Sequence, residues 1–220
     1  MRARRTRAGF SLLELSISVA LMALVLTTAL QISDSVAEGS SSAVTAARAE
    51  ADVGRAVERL AEHLKGSGSG WCGVWAELVP EHDVTYTRVT GYDEDTAAPA
   101  TEEERIFLER LPTDPDDGAD NDGNGLADDG RVVWVRSPGT ADELRTVLCD
   151  RVPESLAGEI DGNLVDDNDN GLVDERGLAF DFAAGRVRIR LTVVERDQNA
   201  RDVVRTVERI VWFRNEAASQ

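Results

Sequence analysis

Two short segments of this 220-residue chain carry oxygen-bearing side chains at a fixed interval. In the first, Asp120, Asp122, Asn124 and Asp128 fall at relative positions 1, 3, 5 and 9, with Gly125 at position 6. Forty-six residues on, Asp166, Asn168, Asn170 and Asp174 repeat the interval around Gly171. A hard cation such as Ca²⁺ needs about six to eight oxygens at roughly 2.3–2.6 Å, and a short loop supplies them only by coiling around the ion. Alternate residues then face inward. Glycine at the sixth position permits the sharp turn, and the carbonyls of Leu126 and Leu172, at position 7, each add a main-chain ligand. Each segment holds seven acids, counted over 114–130 and 159–175. Charge at that density is difficult to fold without a cation. The competing reading is a pair of solvated, disordered loops, because like charges repel and Asp, Asn and Gly favour turns.

A further acid stands where acids are costly. Phe10 to Ile32 is a run of 23 residues whose one charge is Glu14, preceded by Arg2, Arg4, Arg5 and Arg7 with no acid among them. As a helix the run is roughly 35 Å long, enough to span a bilayer, and the basic flank should keep its start on the cytoplasmic side. A carboxylate at the centre of a span costs on the order of 2.5–3.5 kcal/mol, so such an acid is more often functional or paired than accidental. The span contains no Lys or Arg. An α-amino group made by cutting the chain after Gly9 would supply the missing cation.

The order Gly9-Phe10-Ser11-Leu12-Leu13-Glu14 resembles the processing site of type IV prepilins and pseudopilins. That resemblance implies a membrane prepilin peptidase that cuts after Gly9, methylation of Phe10 as the new N-terminus, and a role for Glu14 in docking subunits into a filament. A secretory signal peptide has a core of only about 7–15 apolar residues, and neither it nor a plain single-pass anchor explains this residue order. The acidic segments resemble calcium loops, but position 12 is Arg131 or Gly177 where an EF-hand carries a bidentate Glu. With no flanking helices expected, they are closer to the dockerin or thrombospondin type 3 kind. Asp114, Asp116, Asp161 and Asn163 would then complete the shell, with weak affinity of roughly 10⁻⁴–10⁻³ M.

Other features limit what these residues can be part of. The net charge is −17, from 24 Lys and Arg against 41 Asp and Glu. Loss of the four leader arginines would make it −21, which disfavours nucleic acid as a partner of the soluble region. Cys72 and Cys149 both follow the span, on the side where disulfides persist, and a bridge between them is expected, with two separate buried thiols as the alternative. His63 and His82 have no zinc-like spacing. With no phosphate-binding glycine loop and no nucleophile elbow, the sequence does not read as an enzyme.

The elements that must carry these residues follow from periodicity. Residues 1–9 read as a leader, 10–32 as the transmembrane part of one long helix, and 33–65 as its amphipathic continuation, with an apolar stripe at Ala46, Ala49, Val53, Val57, Leu60 and Leu64. Glu38-Gly39-Ser40-Ser41-Ser42 is poor in helix formers and predicts a bend or melted turn. Residues 66–220 read as one globular domain. Apolar surface is expected around Trp71, Val74, Trp75, Leu78 and Val79. Strands are expected at 84–89, from 106, at 131–136, 144–152, 187–193 and 203–213, with a loop over Gly91–Glu104. Arg186, Arg188 and Arg190 alternate with Val187, Ile189 and Leu191 and read as the solvated face of a half-buried strand.

The predicted fold class is α+β, a long N-terminal helix packed on an antiparallel sheet in a pilin-like arrangement, with acidic loops at 114–130 and 159–175. The element order is similar to J-type minor pseudopilins of type II secretion and W-type minor pilins. That similarity implies partners among other pilin or pseudopilin subunits, a place in the inner membrane before assembly, and afterwards a periplasmic or surface filament, with its tip as the expected position. The alternative is an uncleaved, membrane-tethered calcium-binding adhesin or surface protein.

Overall fold

The computed structural model describes residues 11–67, 82–92, 98–115, 117–156, 158–160, 162–169, 171–183 and 186–213. The leader, Gly9 and Phe10, the apolar stretch from Trp71 to Val79 with Cys72, and Asp116, Asp161 and Asn170 lie outside these residues. Two compact units divide the chain, Met1–Ala43 and Val44–Gln220, and helix α1 (Leu12–Lys65) contributes to both.

In the first unit, α1 exposes Leu12, Leu13, Leu15, Ile17, Val19, Leu21, Met22 and the apolar residues that follow as far as Val36. Ser16, Ser18, Thr27 and Thr28 turn their hydroxyls back onto carbonyls three or four residues earlier, at 2.8–3.1 Å. Polar groups satisfied inside the helix need no water, which suits a hydrocarbon surrounding. By length and composition this helix can cross a membrane. The melted turn predicted at Glu38–Ser42 does not occur, since α1 remains helical through it. Glycine costs only about 1 kcal/mol relative to alanine, whereas breaking a helix creates two new ends, each with four unpaired backbone groups.

In the second unit, α1 buries Ala49, Val53, Ala56, Val57, Leu60, Ala61 and Leu64, the predicted stripe with Ala46 half-exposed at its margin. From Val53 onward these residues join one core with Val84, Ile106, Val132, Trp134, Val152, Leu178, Phe180, Val187, Ile189, Leu191 and Val211. Gly66 and Ser67 end the helix, the Ser67 N–H donating to the Leu64 carbonyl at 3.2 Å.

The sheet region is two antiparallel sheets rather than one. Strands β1 (Asp83–Tyr92), β2 (Pro99–Arg110), β3 (Asp129–Arg136) and β4 (Leu144–Pro153) pair in that order; β5 (Leu178–Ala183), β6 (Arg186–Arg196) and β7 (Asp202–Trp212) form the second sheet. The predicted loop over Gly91–Glu104 is partly strand, because Thr101, Glu102, Glu103 and Glu104 pair with Val89, Arg88, Thr87 and Tyr86. Their acidity concealed β2, and β5 was too short to announce itself. The β6–β7 hairpin turns where predicted, at Asp197–Ala200, with Asp197 Oδ1 accepting the N–H of Asn199 and of Arg201. Two arginines of its predicted solvated face are half-buried and paired: Arg188 lies 3.6 Å from Asp181, and Arg190 donates to Glu208 at 3.2 Å.

The register sets Arg110 beside Gly130 and Asp129 beside Pro153. Both acidic loops therefore leave the same end of the first sheet, one joining β2 to β3 and the other running from β4 to β5. An Arg110–Glu154 ion pair ties their bases together.

Candidate functional site

Glu14 stands in the first turn of α1 and makes a reciprocal cap there. Its Oε2 accepts the Ser11 N–H at 3.1 Å, and its own N–H donates to Ser11 Oγ at 3.2 Å. This is a capping box, which satisfies two of the backbone donors that every helix start leaves unpaired. The Ser-x-x-Glu spacing of Ser11 and Glu14 is the sequence signal for this cap. The carboxylate keeps a second oxygen for a cation.

The two acidic loops share one conformation. In the first, Asp128 accepts the N–H groups of Asp117 and Gly118, and in the second Asp174 accepts those of Asn163 and Leu164, at 2.9–3.1 Å. Asp120 Oδ2 accepts the Gly125 N–H at 2.8 Å, and Asp166 Oδ2 accepts that of Gly171 at the same distance. The backbone repeats as well: Asp128 and Asp174 have φ of 52° and 51°, Gly125 and Gly171 of 94° and 89°. Leu126 and Leu172 are equally buried and plug each loop into the protein. The sequence repeat is thus a structural repeat.

Asp122 and Asn124 in the first loop, and Asn168 in the second, turn toward neighbouring loop groups. Asp122 accepts the Asn124 N–H, Asn124 Nδ2 donates to Asp129, and Asn168 Nδ2 donates to Glu175. Among the described residues no three His, Cys, Asp or Glu side chains stand close enough to hold a metal ion as placed. The loop N–H groups hold many of the carboxylates instead.

Each loop is anchored by an acid outside the spaced motif. Asp114, fully buried, accepts the Asn121 N–H at 2.9 Å and the Asp129 N–H at 3.0 Å. The Asn121 N–H is the chief cause that holds its carboxyl below the usual range. Glu159 has the corresponding place in the second loop, accepting the Asp174 N–H at 3.0 Å. Beside Asp114, the Asp129 carboxyl is pushed up to about 6 by burial, and the Asp122 and Asp114 charges add to that while the Asn124 amide opposes it. Position 12 of each loop serves packing rather than ligation. Arg131 pairs with Glu109 at 2.6 Å, and the Gly177 N–H donates to the Pro153 carbonyl at 2.9 Å.

Cys149 is buried and has no partner cysteine among the described residues, and burial pushes its thiol up to about 12. Its expected partner Cys72 lies outside the described residues, so they do not contain the bridge.

One cluster escaped the sequence reading. Glu104, 1% exposed, accepts the Tyr86 phenol at 2.6 Å and the Trp134 indole N–H at 2.9 Å, with Arg88 at 3.4 Å and His63 Nδ1 at 3.6 Å. His63 stacks on Trp134 with ring centroids 4.4 Å apart, and its Nδ1 has no hydrogen-bond partner among the described residues. Burial alone would raise the Glu104 carboxyl, but His63, the phenol, the indole and the Arg88 charge together hold it at about 2. The cluster ties α1 to β1, β2 and β3. It presents no nucleophile to solvent, and its role is structural.

Residues 4–30 match the family model described as the prokaryotic N-terminal methylation motif. No curated protein and no solved structure matches the chain. The motif, with the long apolar helix, supports a type IV pilin-like protein and is consistent with a single-pass membrane anchor.

Proposed function

We propose that the chain is a minor pilin or pseudopilin subunit, cut after Gly9, methylated on Phe10 and assembled through α1 into a type IV pilus-like or type II secretion filament. The observation that carries this reading is Glu14, the one charge in the exposed apolar run of α1, placed five residues after the glycine of the methylation motif. A prepilin peptidase in the inner membrane would free the Phe10 amine, and that amine, from the same or a neighbouring chain, would meet the Glu14 carboxylate. The J-type or W-type element order, α1 followed by antiparallel strands with a C-terminal hairpin, supports a position near the filament tip. A Cys72–Cys149 bridge would close the soluble unit on the oxidising side, adding about 4 kcal/mol in the chain-entropy model.

Mass spectrometry of the N-terminus of protein taken from native membranes tests the reading. A chain beginning at methylated Phe10 supports it. A chain beginning at Met1 overturns it in favour of an uncleaved tether.

The two matching loops belong to this proposal as cation sites. Their shared backbone and concentrated carboxylates fit a weakly bound Ca²⁺ in each, one that stabilises the loop end of the first sheet and any contact made there.

A further inference from the structure

The two loops differ in their anchoring acids, and the difference sharpens the cation reading on which this inference rests. In the first loop each oxygen of the anchoring acid Asp114 accepts a main-chain N–H. In the second, Glu159 uses Oε1 on the Asp174 N–H, while Oε2 is buried with no hydrogen-bond partner among the described residues. The residue is only 9% exposed, so water does not readily replace the missing donor. A buried carboxylate oxygen left without a donor is costly unless a positive charge meets it.

Glu159 is also placed between two motif residues. Its side chain holds the backbone of Asp174, position 9 of the loop. The preceding Gly158, at φ +90°, comes so close to Asn168, position 3, that an added Cβ would lie 3.4 Å from the Asn168 Cβ. Glu159 Oε2 accepts no N–H among the described residues, and a carboxylate oxygen that accepts one N–H, as each Asp174 oxygen does, still keeps a lone pair for a metal.

We propose that the second loop binds a divalent cation of the calcium type with Glu159 Oε2 as a ligand, together with oxygens of Asp166, Asn168, Asp174 and the Leu172 carbonyl. Glu159 lies seven residues before the spaced motif, so the motif alone does not disclose it. The donors stand apart as placed, and binding requires the loop to tighten around the ion, in keeping with weak affinity. The first loop has no equivalent orphaned oxygen, because each Asp114 oxygen accepts an N–H.

The test is calorimetric titration of the full chain in detergent with CaCl₂ and separately MgCl₂, with thermal melts in calcium and in chelator. The wild type should bind Ca²⁺ and melt higher with it. Glu159→Gln should weaken one calcium site at least tenfold, leave the other unchanged, and melt no lower than wild type in chelator, because the unpaired charge is gone. Asp166→Asn should weaken the same site and Asp120→Asn the other. If Asp166→Asn weakens a site and Glu159→Gln does not, Glu159 is no ligand while the cation reading stands. Absence of calcium binding by the wild type overturns both, and tighter binding of Mg²⁺ than of Ca²⁺ overturns the assignment to a calcium-type site. A lower melting point of Glu159→Gln in chelator makes Glu159 a structural anchor and overturns the proposal.

Discussion

The Tyr86 phenol donates to the Glu104 carboxylate at 2.6 Å, and both side chains are almost completely buried. An acid in the core of a small α+β unit is tolerable only because donors from three other elements converge on it. The fold also alters its ionisation strongly. Burial pushes the Tyr86 phenol far above its ordinary range, and the adjacent carboxylate adds to the effect.

Glu104 sets an acid limit on stability. Its carboxyl is held at about 2 in the folded chain against an ordinary value of 4.5. A depressed native value contributes stability above the unfolded value and loses it as pH falls from there through about 2. Urea unfolding between pH 7 and pH 2 should show a loss of roughly 2–4 kcal/mol from this group. Glu104→Gln should be less stable than wild type at pH 7 and lose less on acidification; parallel pH profiles would contradict this role.

Two properties of Glu14 can be separated. Glutamine preserves the capping box and removes the charge, whereas alanine removes both. Glu14→Gln should keep the helix start intact yet enter filaments poorly. Glu14→Ala should add fraying worth about 1 kcal/mol. Filament incorporation and hydrogen exchange at residues 11–15 are the readouts, and normal incorporation of the glutamine variant would show that only the cap matters.

Gly9→Ala should block maturation. The accumulated chain would retain its nine leader residues and its arginines, seen as an intact-mass increase and an unmethylated N-terminus, with the Val44–Gln220 unit still folded by circular dichroism.

Gly177 has no room for a side chain. An added Cβ would lie 2.6 Å from the Pro153 carbonyl and 2.7 Å from Val152 Cγ1, where β4 meets the start of β5. Gly177→Ala should destabilise by about 1–3 kcal/mol through overpacking. Denaturant melts with and without calcium check it, and the deficit should be equal in both if position 177 is no ligand position.

The cysteines give a redox prediction. A thiol buried and pushed up to about 12 is a poor nucleophile at neutral pH. In reduced, folded protein Cys149 should resist alkylation. After unfolding without reductant, a Cys72–Cys149 bridge should leave both unlabelled and join their peptides on mapping, while labelling of both would exclude it.

By itself the sequence determined the helix, its membrane-compatible half and its buried stripe, because periodicity and charge are local properties that a helix reads directly. It also determined most strands, the C-terminal hairpin and the acidic repeat, whose shared loop conformation follows from identical spacing of Asp, Asn and Gly. Tertiary structure alone decided which acids are exceptional. Glu104 lay in an acidic run that looked like loop, and its pairing with Tyr86 and Trp134 depends on register across three strands. Glu159 sits outside the spaced motif, and its orphaned oxygen exists only because folding buries it against Asp174. The division into two sheets was equally hidden, since strand period records which face is buried and not which neighbour supplies the hydrogen bonds.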